Sequence, residues 1–192
     1  VLDGLRAAGA DGLKVATVVG DDLRPHREVL ALPEDALFAS VYLGARPIVE
    51  ALDAGADIVI TGRVADASLF LAPLVHEFGW DWDDWDRLSA GVTVGHLLEC
   101  SAQVTGGNYS GDWWANGDFS LPGFPIAECR ASGDAVITKP AGTGGVVSFD
   151  TVREQLLYEV HDPAAYLNPD VTADFTSVRL EDLGGDRVRV HA

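Results

Sequence analysis

Helical and strand patterns alternate along the first half of the chain, and this alternation constrains the fold more than any other feature. Helical periodicity covers residues 2–9, 35–54 and 66–78, while residues 13–19 and 57–61 have the apolar composition of buried strands. Strands separated by helices usually pair in parallel through crossover connections. We therefore predict an α/β fold with a mixed, mostly parallel sheet flanked by helices.

The second half of the chain contains hairpin signals instead. Two short strands over residues 126–139 surround Ser132-Gly133-Asp134, and the chain closes on a hairpin around Gly184-Gly185-Asp186. Helices are predicted over residues 86–104 and 149–160, with a long loop over residues 106–124. We expect antiparallel hairpins in this half.

A chain of 192 residues is long enough to bury one sizeable core. Residue 1 is Val, Met is absent, and the first residues have the pattern of a helix already under way. We therefore expect one α/β domain over residues 1–192 that is a piece of a larger protein, incomplete at both ends.

The charge of the chain narrows the possible partners. It carries 13 basic and 30 acidic side chains for a net charge of −17, which repels nucleic acids and anionic membranes. No segment has the apolar length of a membrane helix. The two cysteines, Cys100 and Cys129, form no CxxC pair and are too few for a disulfide scaffold. We expect a cytoplasmic protein with a small-molecule partner.

A polar cluster stands where the strand over residues 57–61 meets the next helix. Arg63, Asp66 and Ser68 lie at this junction, and ligands of parallel α/β sheets bind where such strands end. Arg63 beside a helix N-terminus would suit a carboxylate or phosphate. The alternative is a helix capped by Asp66 or Ser68, with Arg63 paired to Asp66.

A second candidate anion site is the stretch "KPAGTGGVVS", residues 139–148. Glycines let backbone N–H groups close around an oxyanion, although the spacing matches neither a P-loop nor GxGxxG. The alternative is a glycine turn with a solvated lysine. The candidate residues are Lys139, Gly142, Thr143, Gly144 and Gly145, and Ser148 is a candidate cap for the following helix.

His96 and Glu99 are the candidate catalytic residues. They are three positions apart in "GHLLECSAQVTGG", on one face of a predicted helix, with Cys100 alongside. The pair is suited to acid–base chemistry, whereas a metal would need further ligands that no local spacing supplies. The alternative is a buried histidine with a purely structural role.

All five tryptophans lie between residues 80 and 114. The segment "WDWDDWD" is most simply a solvated helix entry with its rings folded onto the core. Trp113 and Trp114, within a loop, are candidates for a pocket lining or an interface.

Four blocks of the sequence together resemble the acyclic terpene utilisation family AtuA. They are "YLGARPIVEALDAGADIVITGRVADAS", "GHLLECSAQVTGG", "GFPIAECRASGDAVITKPAGTGG" and "EQLLYEVHDPAAYLNPDVTADF", and the resemblance covers about residues 35 to 190. One departure is Ser40, where many relatives are expected to have asparagine. The resemblance implies a role in bacterial breakdown of citronellol and geraniol, whose later steps use acyl-CoA thioesters, a biotin-dependent carboxylase and a hydratase.

The resemblance assigns no reaction and no catalytic residues. We therefore hypothesise a catabolic enzyme or subunit in which Arg63 and Lys139 hold the phosphate or carboxylate of an acyl-CoA or acid, while His96 and Glu99 move protons. CoA would enter only as part of the substrate. The alternative is a noncatalytic partner of a carboxylase or hydratase system, and for either we expect a homo-oligomer.

Overall fold

The computed structural model describes residues 1–192 as a mixed α/β structure with five α-helices and eight strands. The helices are α1 (Leu2–Ala7), α2 (Arg46–Asp53), α3 (Ser68–Phe78), α4 (Trp85–Leu98) and α5 (Phe149–Leu157). The strands are β1 (Val15–Val18), β2 (Ile58–Thr61), β3 (Ile126–Cys129), β4 (Ala135–Thr138), β5 (Tyr166–Leu167), β6 (Thr172–Ala173), β7 (Arg179–Asp182) and β8 (Val188–His191). No helix has the length and apolar character needed to cross a bilayer.

Parallel pairing is confirmed for the two strands of the first half. β1 and β2 form a two-stranded parallel sheet in which Val15 lies opposite Ile58 and Val18 lies opposite Thr61. The connection contains α2, which packs on both strands. The polar junction after β2 therefore lies at the carboxyl end of a parallel strand, as predicted.

The prediction of a mostly parallel sheet is wrong. The largest sheet has four antiparallel strands in the order β3-β4-β8-β7, and β5 with β6 forms a further antiparallel pair that was not predicted. Both predicted hairpins are present, with Gly133 and Gly184 at positive φ in their turns. Only two strands of the chain are joined by a helical crossover, so the hairpin strands of the second half supply most of the sheet.

Several predicted helices are shorter than their sequence pattern. The region 35–54 becomes helical only at Arg46, and α4 ends at Leu98 before a separate 3-10 turn, Ser101–Gln103. The predicted cap of α5 is confirmed, because the Ser148 hydroxyl accepts from the Thr151 backbone N–H and the Thr151 hydroxyl accepts from the Ser148 backbone N–H, which together form a capping box. The periodicity of the sequence predicts where these helices lie, but it does not predict the residues at which they begin and end.

Helix α4 lies in the middle of the core and positions the candidate site. Nine of its residues are buried, and it packs against α3, α5 and strands of the second half. A Cβ on Gly95 would lie 2.4 Å from the carbonyl oxygen of Ala67, so the glycine allows α4 to touch the start of α3. His96, the next residue, is thereby brought beside the junction after β2.

The acidic tryptophan segment is divided between core and surface. Trp80 is buried and donates its Nε1 hydrogen to the carbonyl oxygen of Ala131 at 3.0 Å. Trp82 packs against the core beneath the guanidinium of Arg46, whereas Trp85 is exposed. The predicted folding of these rings onto the core is therefore correct for two of the three.

Candidate functional site

A cavity of about 530 Å³ lies between the junction after β2, the end of α4 and the β5–β6 hairpin. Its polar lining consists of Asp66, His96, Glu99, Glu159 and Asn168. Tyr42, Ala65, Tyr166, Leu167 and Pro169 supply the rest. No lysine or arginine lines the cavity. It thus combines apolar walls with three carboxylates and one imidazole.

His96 is the most buried polar group of this cavity. Its side chain is 1% exposed, and its Nδ1 lies 3.1 Å from Oε1 of Glu99. The pair is close enough for an ionic contact, but its angles are unsuited to a hydrogen bond, and neither ring nitrogen has a hydrogen-bond partner. The structure thus brings together the two predicted catalytic side chains, and both imidazole nitrogens are buried without a hydrogen-bond partner in the chain.

Aromatic rings and one amide hold His96 in place. The imidazole centroid lies 5.0 Å from the ring of Tyr166 and 5.3 Å from that of Phe175, and these two rings stack on each other. Behind them, Nε2 of Gln155 donates to the backbone carbonyl of His96 at 3.1 Å. The imidazole is therefore fixed at one wall of the cavity.

The carboxylates make the cavity electrically negative. Burial, reinforced by Glu99, Asp66 and Glu159, raises the pKa of Tyr166 to about 12. Burial with the same carboxylates also raises the pKa of the Cys100 thiol. Both groups keep their protons at neutral pH, so the Tyr166 hydroxyl is available as a hydrogen-bond donor.

Arg63 lies at the rim of the cavity. Its backbone N–H donates to Oδ2 of Asp21 at 2.8 Å, and its Nη1 is 3.8 Å from Oδ1 of Asp66. The guanidinium also covers the ring of Tyr42, 5.2 Å from its centroid. Half of the Arg63 side chain remains exposed, so the predicted pair with Asp66 exists without closing off the guanidinium.

Ser68 does not cap α3, and anion binding by this residue stays a prediction. The N-cap of α3 is Ala67, with no capping side chain, so neither Asp66 nor Ser68 caps this helix. The buried Ser68 hydroxyl donates to Oδ2 of Asp170 at 2.8 Å. The predicted cap is wrong because the hydroxyl is bound to a carboxylate 102 residues away.

Asp170 joins three parts of the chain beside the cavity. Besides Ser68, its carboxylate accepts from the backbone N–H of Ala45, 2.9 Å from each oxygen. A Cβ on Gly44 would lie 2.4 Å from Oδ1 of Asp170, so glycine leaves the space for this approach. Asn168, which lines the cavity, also lies 3.5 Å from the Ser68 hydroxyl. The cavity walls are tied together through this carboxylate.

The glycine loop after β4 does not line the cavity. Lys139 is 6% exposed, and its Nζ donates to the carbonyl of Thr143 at 2.9 Å and lies 3.1 Å from Oδ2 of Asp186. The N–H of Gly144 donates to Leu121, and Gly142 and Gly145 adopt positive φ. An anion site at these residues stays a prediction, since the lysine charge is already paired within the chain.

Sequence reasoning missed several cavity residues, among them Tyr42, Glu159, Tyr166 and Asn168. A signal was available, because all ten lining residues fall within three of the four sequence blocks quoted above. The remaining block, "GFPIAECRASGDAVITKPAGTGG", contains the Lys139 loop and contributes none. The cavity is therefore lined by residues that are far apart in the sequence but lie within these three blocks.

Two further features lie outside the cavity. Trp113 and Trp114 are exposed and meet edge to face, with ring centroids 5.8 Å apart. Cys100 and Cys129 are free thiols, and no group of three or more His, Cys, Asp or Glu side chains is placed to hold a metal ion.

Comparison with known proteins finds one match. The family model described as "Acyclic terpene utilisation family protein AtuA" matches residues 1–192, the whole chain. Neither the curated proteins nor the solved structures contain a match.

Proposed function

The chain belongs to the acyclic terpene utilisation family AtuA, and from that premise we propose that it is an enzyme, or a subunit of one, that binds a branched acyl-CoA of terpene catabolism. The observation that carries the proposal is the cavity, with a buried unpaired imidazole inside it and a half-exposed guanidinium at its rim.

The two parts of such a ligand match two parts of the site. A branched acyl chain is apolar and suits the walls that Tyr42, Tyr166 and Leu167 provide. The phosphates of CoA are anionic and would be repelled by the carboxylates inside. Arg63 at the rim offers a planar fork for a phosphate or carboxylate outside the cavity.

Acid–base chemistry follows from the position of His96. An imidazole with free nitrogens can accept a proton from a bound acyl group or donate one to it. Glu99 lies 3.1 Å from Nδ1 and would stabilise the imidazolium formed in such a step. We propose His96 as the proton-transferring residue and Glu99 as its charged neighbour, with CoA as part of the substrate.

The loop of residues 139–145 is not needed for this function. An anion there would compete with Asp186 for the ammonium of Lys139. Binding at this loop stays a separate prediction that requires the Lys139–Asp186 pair to open.

Calorimetric titration with a branched acyl-CoA tests the proposal. Arg153 provides a matched control for Arg63, since it pairs with Asp150 three residues away and covers the ring of Phe149 at 5.3 Å, but lies outside the cavity. We expect Arg63→Ala to weaken thioester binding about tenfold, as for loss of a charge-assisted hydrogen bond, and Arg153→Ala to leave it unchanged. The proposal fails if no thioester binds, or if both variants behave alike.

A noncatalytic role is the second candidate, and the exposed Trp113–Trp114 pair favours it. Exposed tryptophans are enriched at protein interfaces. Pull-down from terpene-grown cells would support a scaffold if a stable carboxylase or hydratase complex is lost on substitution of both tryptophans by serine. Turnover by the isolated protein excludes it.

We also propose a cytoplasmic location, small-molecule rather than nucleic-acid or membrane partners, and self-association. The two free thiols support a cytoplasmic location. The net charge of −17 supports small-molecule rather than nucleic-acid or membrane partners. Light scattering on the purified protein tests the third.

A further inference from the structure

We infer that two copies of this chain form a symmetric dimer through a surface groove that runs from the outer face of the antiparallel sheet to the acidic tryptophan segment, residues 80–86. One end of the groove is basic and the other is acidic, so that each end meets the opposite end of the partner subunit. The inference rests on the self-association proposed above and assigns its surface. It does not involve the cavity beside α4 or the ligand of that cavity.

Three adjoining concavities form this groove. The first, of about 210 Å³, lies on the sheet and is lined by Arg130, Asp134 and His191 among others. His191 also lines the second, of about 500 Å³, together with Trp85 and Asp86. Trp85 and Asp86 in turn line the third, of about 420 Å³, with the other three aspartates of the acidic tryptophan segment. Because neighbouring concavities share lining residues, the groove is continuous.

A row of outward-facing side chains on the sheet makes one end of the groove basic. The Arg130 N–H donates to the carbonyl of Asp134, and Arg179 lies opposite His191 across β7 and β8. The adjacent row of the sheet is buried, so this row faces away from the core. The carboxylate of Asp134 is bound by Nδ1 of His191 at 2.8 Å and by the hydroxyl of Ser132 at 3.0 Å. Neither Arg130 nor Arg179 forms an ion pair within the chain.

The other charges on this face of the sheet are paired. Arg187 forms an ion pair with Glu128, and Arg189 forms one with Glu181. The two arginines without a partner are therefore the excess charge of the face. They stand out because the chain has only 13 basic side chains for 30 acidic ones.

The opposite end of the groove carries carboxylates without a cation. Asp81, Asp83 and Asp86 are exposed and form no ion pair, whereas Asp84 caps α4 and pairs with Arg87. One further carboxylate borders the middle of the groove at residue 174, where it accepts from the backbone N–H and the hydroxyl of residue 176. The unpaired negative charge is thus concentrated at the end formed by the acidic tryptophan segment.

The distribution of charge makes the groove complementary to itself. A two-fold rotation about its middle places Arg130 and Arg179 of one copy against the acidic end of the partner subunit, and the reciprocal contact forms at the same time. Trp85 lies between the two ends and is 58% exposed, and aromatic side chains are enriched in protein interfaces. A partner of uniform charge would match only one end. A second copy of the chain matches both.

A charge exchange between two double variants tests the dimer by sedimentation velocity. The first variant combines Arg130→Glu with Arg179→Glu, and the second combines Asp83→Arg with Asp86→Arg. We expect the unaltered protein to be a dimer and each variant to dimerise about a hundredfold more weakly or less, because like charges then face each other. An equimolar mixture of the two variants should recover the dimer, since every reversed end meets its opposite.

Arg6→Glu combined with Arg153→Glu is the matched control. Both arginines are exposed, both lie outside the groove, and the change in net charge equals that of the first variant. This control should remain a dimer. Circular dichroism of all variants shows whether they are folded, and recovery of the dimer in the mixture requires it.

The inference is overturned if the unaltered protein is a monomer, if both double variants remain dimers, or if the folded variants stay monomeric when mixed. A dimer that no variant weakens would retain self-association but place it on another surface. Acyl-CoA titration of the same proteins is independent, because thioester binding without this dimer retains the proposed function, and this dimer without thioester binding does the reverse.

Discussion

Two segments of this protein begin alike, yet only one borders the cavity. After β2 the chain continues with Gly62 and Arg63, and after β4 it continues with Lys139 and a glycine loop. Arg63 is half-exposed, with a carboxylate 3.8 Å away, whereas Lys139 is 6% exposed and pairs with Asp186. A cation and glycines after a strand therefore do not distinguish a segment that borders a cavity from a structural loop.

The distinguishing feature is the location of the partner carboxylate. Asp66 is three residues from Arg63 and largely exposed, and such a pair contributes about 0 to 1 kcal/mol. Asp186 comes from the turn between β7 and β8, and it also accepts from the backbone N–H of Val147. A lysine held in this way stabilises the fold, whereas half of the Arg63 side chain stays exposed.

The largest expected effect contrasts the glycines of the two segments. A Cβ on Gly144 would lie 1.6 Å from the backbone carbonyl of Asp118, whereas one on Gly62 would meet only the side chain of Asp21, at 2.0 Å. We expect Gly144→Ala to lower the free energy of unfolding by about 3 kcal/mol or more, because backbone must move. Gly62→Ala should cost about 1 kcal/mol, since a side chain can rotate away. Urea unfolding of both variants measures this, and equal losses would contradict it.

The second prediction concerns the buried lysine. Lys139→Met should destabilise the protein by about 2 kcal/mol, less than for a fully buried pair, because Asp186 is 37% exposed. Adding Asp186→Asn to this variant should recover part of the loss, since the unpaired charge is then removed. Urea unfolding of the single and double variants forms the test. A loss below 0.5 kcal/mol for the single variant would show that the loop is not held by this pair.

The third prediction uses the burial of Tyr166 beside the carboxylates of the cavity. The pKa of Tyr166 is about 12, against 10.0 for an ordinary tyrosine. The folded state therefore binds the phenolic proton more tightly than the unfolded state does. The stability that results is fully present below pH 10 and is lost as the pH rises from 10 to 12. After allowance for solvent screening we expect a loss of about 1 kcal/mol in this window. Unfolding of Tyr166→Phe should lack this component, and identical pH profiles of the two proteins would argue against a raised pKa of the Tyr166 phenol.

The smallest effect is expected at the cavity rim. Arg63→Ala should change the free energy of unfolding by about 0.5 kcal/mol or less, because its ion pair is exposed. Thermal unfolding at low and high salt measures this difference. A loss as large as that of Lys139→Met would mean that the exposed pair of Arg63 stabilises the fold as much as the buried pair of Lys139.

Local patterns predicted much of the fold and part of the site. The parallel pair, both hairpins and the Ser148 cap follow from periodicity and turn residues within short segments. His96 and Glu99 were predicted to be neighbours because residues three apart lie on one face of a helix. These predictions required no knowledge of distant contacts.

The remaining features depend on contacts between distant segments. Pairing of β4 with β8 placed a long-range antiparallel ladder at the centre of the largest sheet, which the alternation of the first half did not indicate. Asp186 beside Lys139 and Asp170 beside Ser68 are likewise unpredictable from local spacing. Tyr166 reaches the cavity only through a two-residue strand, which is too short to produce a periodic pattern.

The Asp170 carboxylate also bears on how the protein is made. Its partner Ala45 is 125 residues earlier in the chain, so the backbone that starts α2 leaves the ribosome long before the residue that holds it. Contacts between such distant residues form slowly, because a large loop must close first. We expect the cavity to be completed late in biosynthesis, and a nascent chain that ends before Asp170 to lack it. Ligand binding by this protein would then report that the polypeptide has been synthesised past Asp170 and folded.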